Sequence, residues 1–195
     1  MAVNARIPAG TMRMPATWWA KAAVAGLCGG LALFLFQALV AIVGHGNGWD
    51  FVNRVGAIYP AFRTLPAGFA VGPTLAGIFT HLGIAVCIGL VYGVIVDALP
   101  AVLSSAGMAI VSGAIGGFWT WVVVGRTIGP VVSPGFWGYP QMEFLVAHAC
   151  FGAVTAVVLF ALARQGELAQ LHVTMFPSER LRVGAVVGPE TTTTT

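Results

Sequence analysis

Charge is scarce in this chain. Lys and Arg number 9 and Asp and Glu 6 in 195 residues, a charged fraction of 8%, where a soluble domain carries about 25%. With so few charges and 58% hydrophobic residues, no water-soluble fold of this length can hide its apolar surface. Cysteine is nearly absent too. Cys28, Cys87 and Cys150 all lie within apolar stretches and form no CxxC pair, so they read as small buried hydrophobes and not as a disulfide framework or a thiolate metal site. GxSxG, Walker, zincin and dinucleotide-binding patterns are missing, which argues against a catalytic site built on those motifs. There is no Lys/Arg run suited to nucleic acid.

What the chain has instead is length in its apolar runs. Four stretches, about 22–43, 75–96, 101–124 and 143–163, each match the roughly 20 residues that carry a helix across a bilayer core. Mean hydropathy is +0.90. The expected fold class is all-α: an integral membrane four-helix bundle over residues 1–164, with a tail at 165–195 that ends in five threonines and reads as partly disordered. The first stretch is longer than a signal-peptide core and runs into Gly44-His45-Gly46-Asn47-Gly48, not a cleavage site. It is expected to be retained.

Net charge is +3, and its distribution gives a topology. Arg6, Arg13, Lys21, Arg164, Arg180 and Arg182 flank the outer ends of helices one and four, against Arg54, Arg63 and Arg126 in the 44–74 and 125–142 loops. Basic residues collect on the cytoplasmic side, so both termini are expected there, with Trp18-Trp19 at the inner interface. Asp97-Ala98-Leu99-Pro100 then makes a tight cytoplasmic turn between helices two and three. Asp50 could cap a short helix with Phe51, Val55, Ile58, Tyr59 and Phe62 near one face, lying in the interface plane.

Small residues recur every four positions: Gly26 and Gly30; Gly77, Ala85, Gly89 and Gly93; Ala109, Gly113 and Gly117; Gly152 and Ala156. Within a bilayer, close backbone approach along such faces holds helices together. These stripes are expected to be helix contacts within the bundle or with a neighbouring subunit. An alternative is room for a flat macrocycle beside a histidine.

Two histidines sit inside the spans. His81 and His148 fall at similar depth on helices running the same way. Ionisable groups at depth point inward to partners or water. Four roles are open: hydrogen-bonded packing residues; axial ligands for a haem or chlorophyll-type pigment; metal ligands together with His45 and Glu143; or a proton relay. The carboxylates needed for a relay are missing between Asp97 and Glu143, and His172 in the tail reads as solvated.

From Thr80-His81 onward the pattern resembles the YagU-type family of small bacterial inner-membrane proteins. Tyr92, Pro100, Gly113, Gly117, Pro130, Pro134 and the pair Glu143 and His148 carry the resemblance over residues 80–152. The family pattern has a histidine in its third helix, where this chain has Trp119-Thr120-Trp121. The resemblance implies a multi-pass protein of the bacterial inner membrane and supports topology more than chemistry. The functional expectation is a non-catalytic accessory or structural subunit of a larger energy-converting (respiratory or photosynthetic) or transport complex, with the lipid bilayer and other membrane subunits as partners. A His81/His148 redox or pigment module and a small transporter or channel are the alternatives.

Overall fold

A computed structural model describes residues 16–45, 47–133 and 138–175, with side chains through 165 except that of His45. Expectations about Arg6, Arg13, Arg180, Arg182, Pro134, His172 and the threonine run concern residues or side chains outside that set. Among the described residues the structure is helical without strands. The elements are α1 (Ala16–His45), α2 (Asp50–Gly56), α3 (Val71–Ala98), α4 (Ala106–Thr120), a wide-turn π segment (Trp121–Ile128), α5 (Gly129–Val132) and α6 (Gln141–Met175). Four spans are long and apolar enough to cross a membrane: Ala16–Gly44, Val71–Ala98, Ala106–Val132 and Gln141–Gln165. This is the architecture of a multi-pass membrane protein.

The third span differs from its expected bounds of 101–124. Residues Pro100–Leu103 form a 3-10 turn. α4 starts at Ala106 because Ser105, in extended conformation, accepts a hydrogen bond on Oγ from the Met108 N–H at 3.2 Å, an N-cap that ends the turn and opens the helix. At its other end the span continues through Val132 instead of leaving for a loop at 125. Pro130 lacks the N–H that would close an α-turn onto Arg126. The chain stays helical by widening into the π segment before it, with Gly125 buried there.

Packing follows the small residues. α1 meets α3 where Gly26 and Gly89 face one another: a methyl on either would fall within 3 Å of the other's backbone. α4 meets α6 where Gly113 and Gly117 lie on Gly152 and on the His148 carbonyl, again with no room for a side chain. Gly77 packs on the Val52 carbonyl of α2, Gly93 on Ala22 and Trp18, and Gly30 on Ala85. α1 also lies along α6, where Gly29 fits against Phe151 and Thr155. The helices therefore follow one another around the bundle in the order α3, α1, α6, α4.

The consecutive helices α3 and α4 are left apart. Each has one small-residue face and has committed it elsewhere, α3 to α1 and α2, α4 to α6. The surfaces they turn toward each other carry Ile88, Val91 and Ile95 on one side and Ile115, Trp119 and Val123 on the other, with α6 behind them. Branched and aromatic side chains do not permit the close approach that holds membrane helices together. One recorded hydrogen bond spans the gap, between Tyr92 Oη and Ser112 Oγ at 2.9 Å, close to the 99–105 turn.

The short helix α2 is packed into the bundle. Phe51, Val52, Asn53, Val55 and Gly56 are buried, so the helix plugs the end of the bundle opposite the 99–105 turn. Two polar contacts seat it: Asn53 Nδ2 donates to the Gly68 carbonyl at 2.9 Å, and the buried Thr74 hydroxyl donates to Asn53 Oδ1 at 2.7 Å. Trp49, not Asp50, occupies its N-cap. Asp50 instead pairs with Arg54 one turn on, at 2.8 Å.

Candidate functional site

His81 and His148 come together. Both line one cavity of about 60 Å³, with Leu33, Phe51, Phe144 and Phe151 among its walls. The cavity lies under α2 in the half of the bundle away from the 99–105 turn. Phe51 stacks edge-on against His81, ring centres 5.3 Å apart, and Phe144 edge-on against His148 at 4.4 Å. Phe51 and Phe144 are themselves 6.0 Å apart. The two imidazoles are thus clamped by aromatic rings that fix their planes.

Each imidazole spends one nitrogen on a backbone carbonyl. His81 Nε2 bonds the Gly30 carbonyl of α1 at 2.9 Å. His148 Nδ1 bonds the Phe144 carbonyl one turn back in α6 at 2.8 Å. A carbonyl can only accept, so these nitrogens carry the protons. In a neutral imidazole the remaining nitrogen is a lone-pair acceptor. His81 Nδ1 and His148 Nε2 are those atoms, and no hydrogen bond to either is recorded. Exposure is 9% for His81 and 4% for His148, so both residues are buried, and both line the one cavity.

This arrangement limits what the pair can hold. Small-molecule sites enclose roughly 300–1,000 Å³; at about 60 Å³ the cavity does not admit a haem or chlorophyll-type macrocycle between the two rings. Among the described residues no three His, Cys, Asp or Glu gather at metal-binding distance. Glu143, in the first turn of α6, makes no hydrogen bond or ion pair with either histidine. The His45 side chain lies outside the described set.

A second space adjoins the first. The gap between α3 and α4 is a cleft of about 630 Å³, floored by Phe151, Gly152 and Thr155 of α6. Its rim residues Val91, Ile95, Ile115, Trp119 and Val123 are exposed, so it opens sideways, toward lipid in a membrane. Ile88, Thr120, Val124 and Phe151 line both the cleft and the histidine cavity. These four side chains stand between the lateral cleft and the cavity of the two imidazoles. The lining of both spaces is almost wholly apolar. Thr120, the polar residue at the junction, has its hydroxyl committed to the Gly116 carbonyl at 2.9 Å.

Polar contacts that the sequence reading did not single out lie above the cavity. Gln37 of α1 is fully buried and accepts the Tyr139 hydroxyl on Oε1 at 2.7 Å. Arg54 lies 5.4 Å from the centre of the Tyr139 ring. Burial, chiefly, and then the Asp50 carboxylate nearby push the Tyr139 phenol well above its ordinary value, with Arg54 acting the other way. Gln37 Nε2 and Trp121 Nε1 are buried without a hydrogen-bond partner. A lone Gln in an apolar run was the available signal for this site, since a buried amide inside a span needs a partner.

Comparison with protein-family models, curated proteins and solved structures finds no match for this chain.

Proposed function

We propose that this protein is a non-catalytic accessory component of a larger energy-converting or transport complex in the bacterial inner membrane, and that it holds a bilayer-borne molecule in the cleft between α3 and α4. Both termini and the 99–105 turn face the cytoplasm in this reading, as the distribution of Lys and Arg suggests. The observation that carries it is that the lateral cleft and the histidine cavity lie side by side and share four wall residues. A molecule dissolved in the bilayer can enter the cleft without crossing the polar ends of the bundle, and only those wall side chains then separate it from the imidazoles.

The other roles fit less well. A transporter or channel needs a polar path from one side to the other, and the cleft and cavity are lined almost entirely by apolar side chains. A haem or pigment module needs a larger space than the histidines enclose.

Two measurements test the reading. Solvent extraction of the natively purified protein, followed by mass spectrometry, is expected to yield about one chain-bearing molecule per protein, lost in Gly116→Leu, which fills the cleft. A preparation free of any such molecule contradicts the binding role. Native sizing in mild detergent is expected to show the chain within a larger assembly; a sharp lone species of 20.2 kDa plus its detergent sinks the accessory role.

A further inference from the structure

Resting on the cleft reading, we infer that the occupant is a single-chain lipid with a hydroxyl head group, its hydroxyl donated to the lone pair of His81 or of His148 and its chain lying between α3 and α4. The acceptors select the head. Both imidazole protons are committed to carbonyls, Gly30 for His81 and Phe144 for His148, so the cavity presents two acceptors. Burying an acceptor without a donor costs about 1–3 kcal/mol, and a head that only accepts, such as an ether or ester oxygen, leaves both unmatched. A hydroxyl head carries one proton and satisfies one of them. The volume of about 60 Å³ leaves room for a small head such as a hydroxyl.

The cleft selects the tail. Its lining on α4 and the π segment runs from Ser112 to Val124, about 18 Å at roughly 1.5 Å per residue. A volume of about 630 Å³ spread along that length is narrow, whereas a helix with its side chains is roughly 10–12 Å across. A single chain fits where a partner's transmembrane helix does not. Tyr92 and Ser112, hydrogen-bonded across the gap, close the far end. The chain therefore enters between Ile95 or Val91 and Ile115 or Trp119, with its head toward the histidines.

The test uses the full chain in detergent with three probes of equal length: 1-hexadecanol, hexadecyl methyl ether and hexadecane. Native mass spectrometry reads binding, and the imidazole nitrogen resonances of His81 and His148 read the head contact. Hexadecanol is expected to bind at least about tenfold more tightly than the ether, the effect of one buried hydrogen bond. It should also shift a non-protonated imidazole nitrogen in a saturable way while the alkane does not. At least one of His148→Phe and His81→Phe should remove the preference for the alcohol and keep binding of all three chains; a preference kept in both variants overturns the hydroxyl head. Equal binding of all three probes to the wild type, with unmoved nitrogen resonances, overturns the hydroxyl head and leaves the cleft reading in place. Binding of none overturns both.

Discussion

The two sides of this bundle are built from different residues. On the closed side α1 packs on α3, and α6 on α1 and α4, through glycine and alanine, with backbone touching backbone at Gly26 and Gly89 and at Gly113 and Gly152. On the open side α3 and α4, neighbours in sequence, face each other through isoleucine, valine and tryptophan and stay apart. In a bilayer there is no water to drive the second pair together. The comparison teaches that chain adjacency and a short turn do not make a packed hairpin; the small-residue face decides which helices meet.

Gly116 and Gly117 put that contrast on two consecutive residues. A methyl at Gly117 would collide with the His148 carbonyl, whereas one at Gly116 meets nothing closer than the Tyr92 ring at 3.9 Å. Gly117→Leu is expected to destabilise by about 3 kcal/mol or more, the upper range for overpacking, read by denaturation in mixed micelles. Gly116→Leu is expected to change stability by less than about 1 kcal/mol. Equal effects at the two positions would erase the distinction between the sides.

Tyr139→Phe probes the plug above the cavity. It leaves Gln37 without its recorded partner and is expected to cost about 1–3 kcal/mol. The same variant has a pH signature. Because the folded state holds the phenol pKa above its ordinary value of 10.0, the folded form favours the protonated phenol. That contribution is complete below about pH 10 and is lost as pH rises toward the folded value. The wild type should therefore lose stability above pH 10 more steeply than Tyr139→Phe, in paired unfolding curves.

His81→Phe removes the hydrogen bond from α3 to the Gly30 carbonyl of α1. Interhelical hydrogen bonds in membranes average about 0.6 kcal/mol and reach about 1.7, so a loss near 1 kcal/mol is expected. His148→Phe, whose bond stays within α6, should cost less. The smallest effect belongs to Arg54→Ala. Its ion pair with Asp50 is partly exposed and should be worth under about 0.5 kcal/mol in a salt-dependence series.

Much of this was legible from residue order. Apolar length located all four spans, and four-residue stripes named Gly26, Gly30, Gly77, Gly89, Gly93, Gly113, Gly117 and Gly152, each of which lies against another helix. Similar depth on helices running the same way put His81 and His148 at one level of the bundle, without showing that they share a cavity. The open side was not legible, because a stripe shows that a face will pack without showing against which helix. The end of the third span was misplaced because Pro130 reads as a breaker. The structure absorbs it in a widened turn, a choice made by packing and not by local propensity. Burial of α2 was missed since a seven-residue amphipathic helix looks the same whether it lies on a membrane or plugs a bundle.

The most direct measurement is oxygen accessibility of a nitroxide at Gly116→Cys in lipid bilayers, with Cys28, Cys87 and Cys150 replaced by alanine, compared with labels at the exposed Ile115 and the buried Ala147. An open cleft predicts collision rates at 116 close to those at 115, falling when 1-hexadecanol is added. A rate at 116 as low as that at 147 before any addition would mean that α3 and α4 close on each other, and would contradict the account.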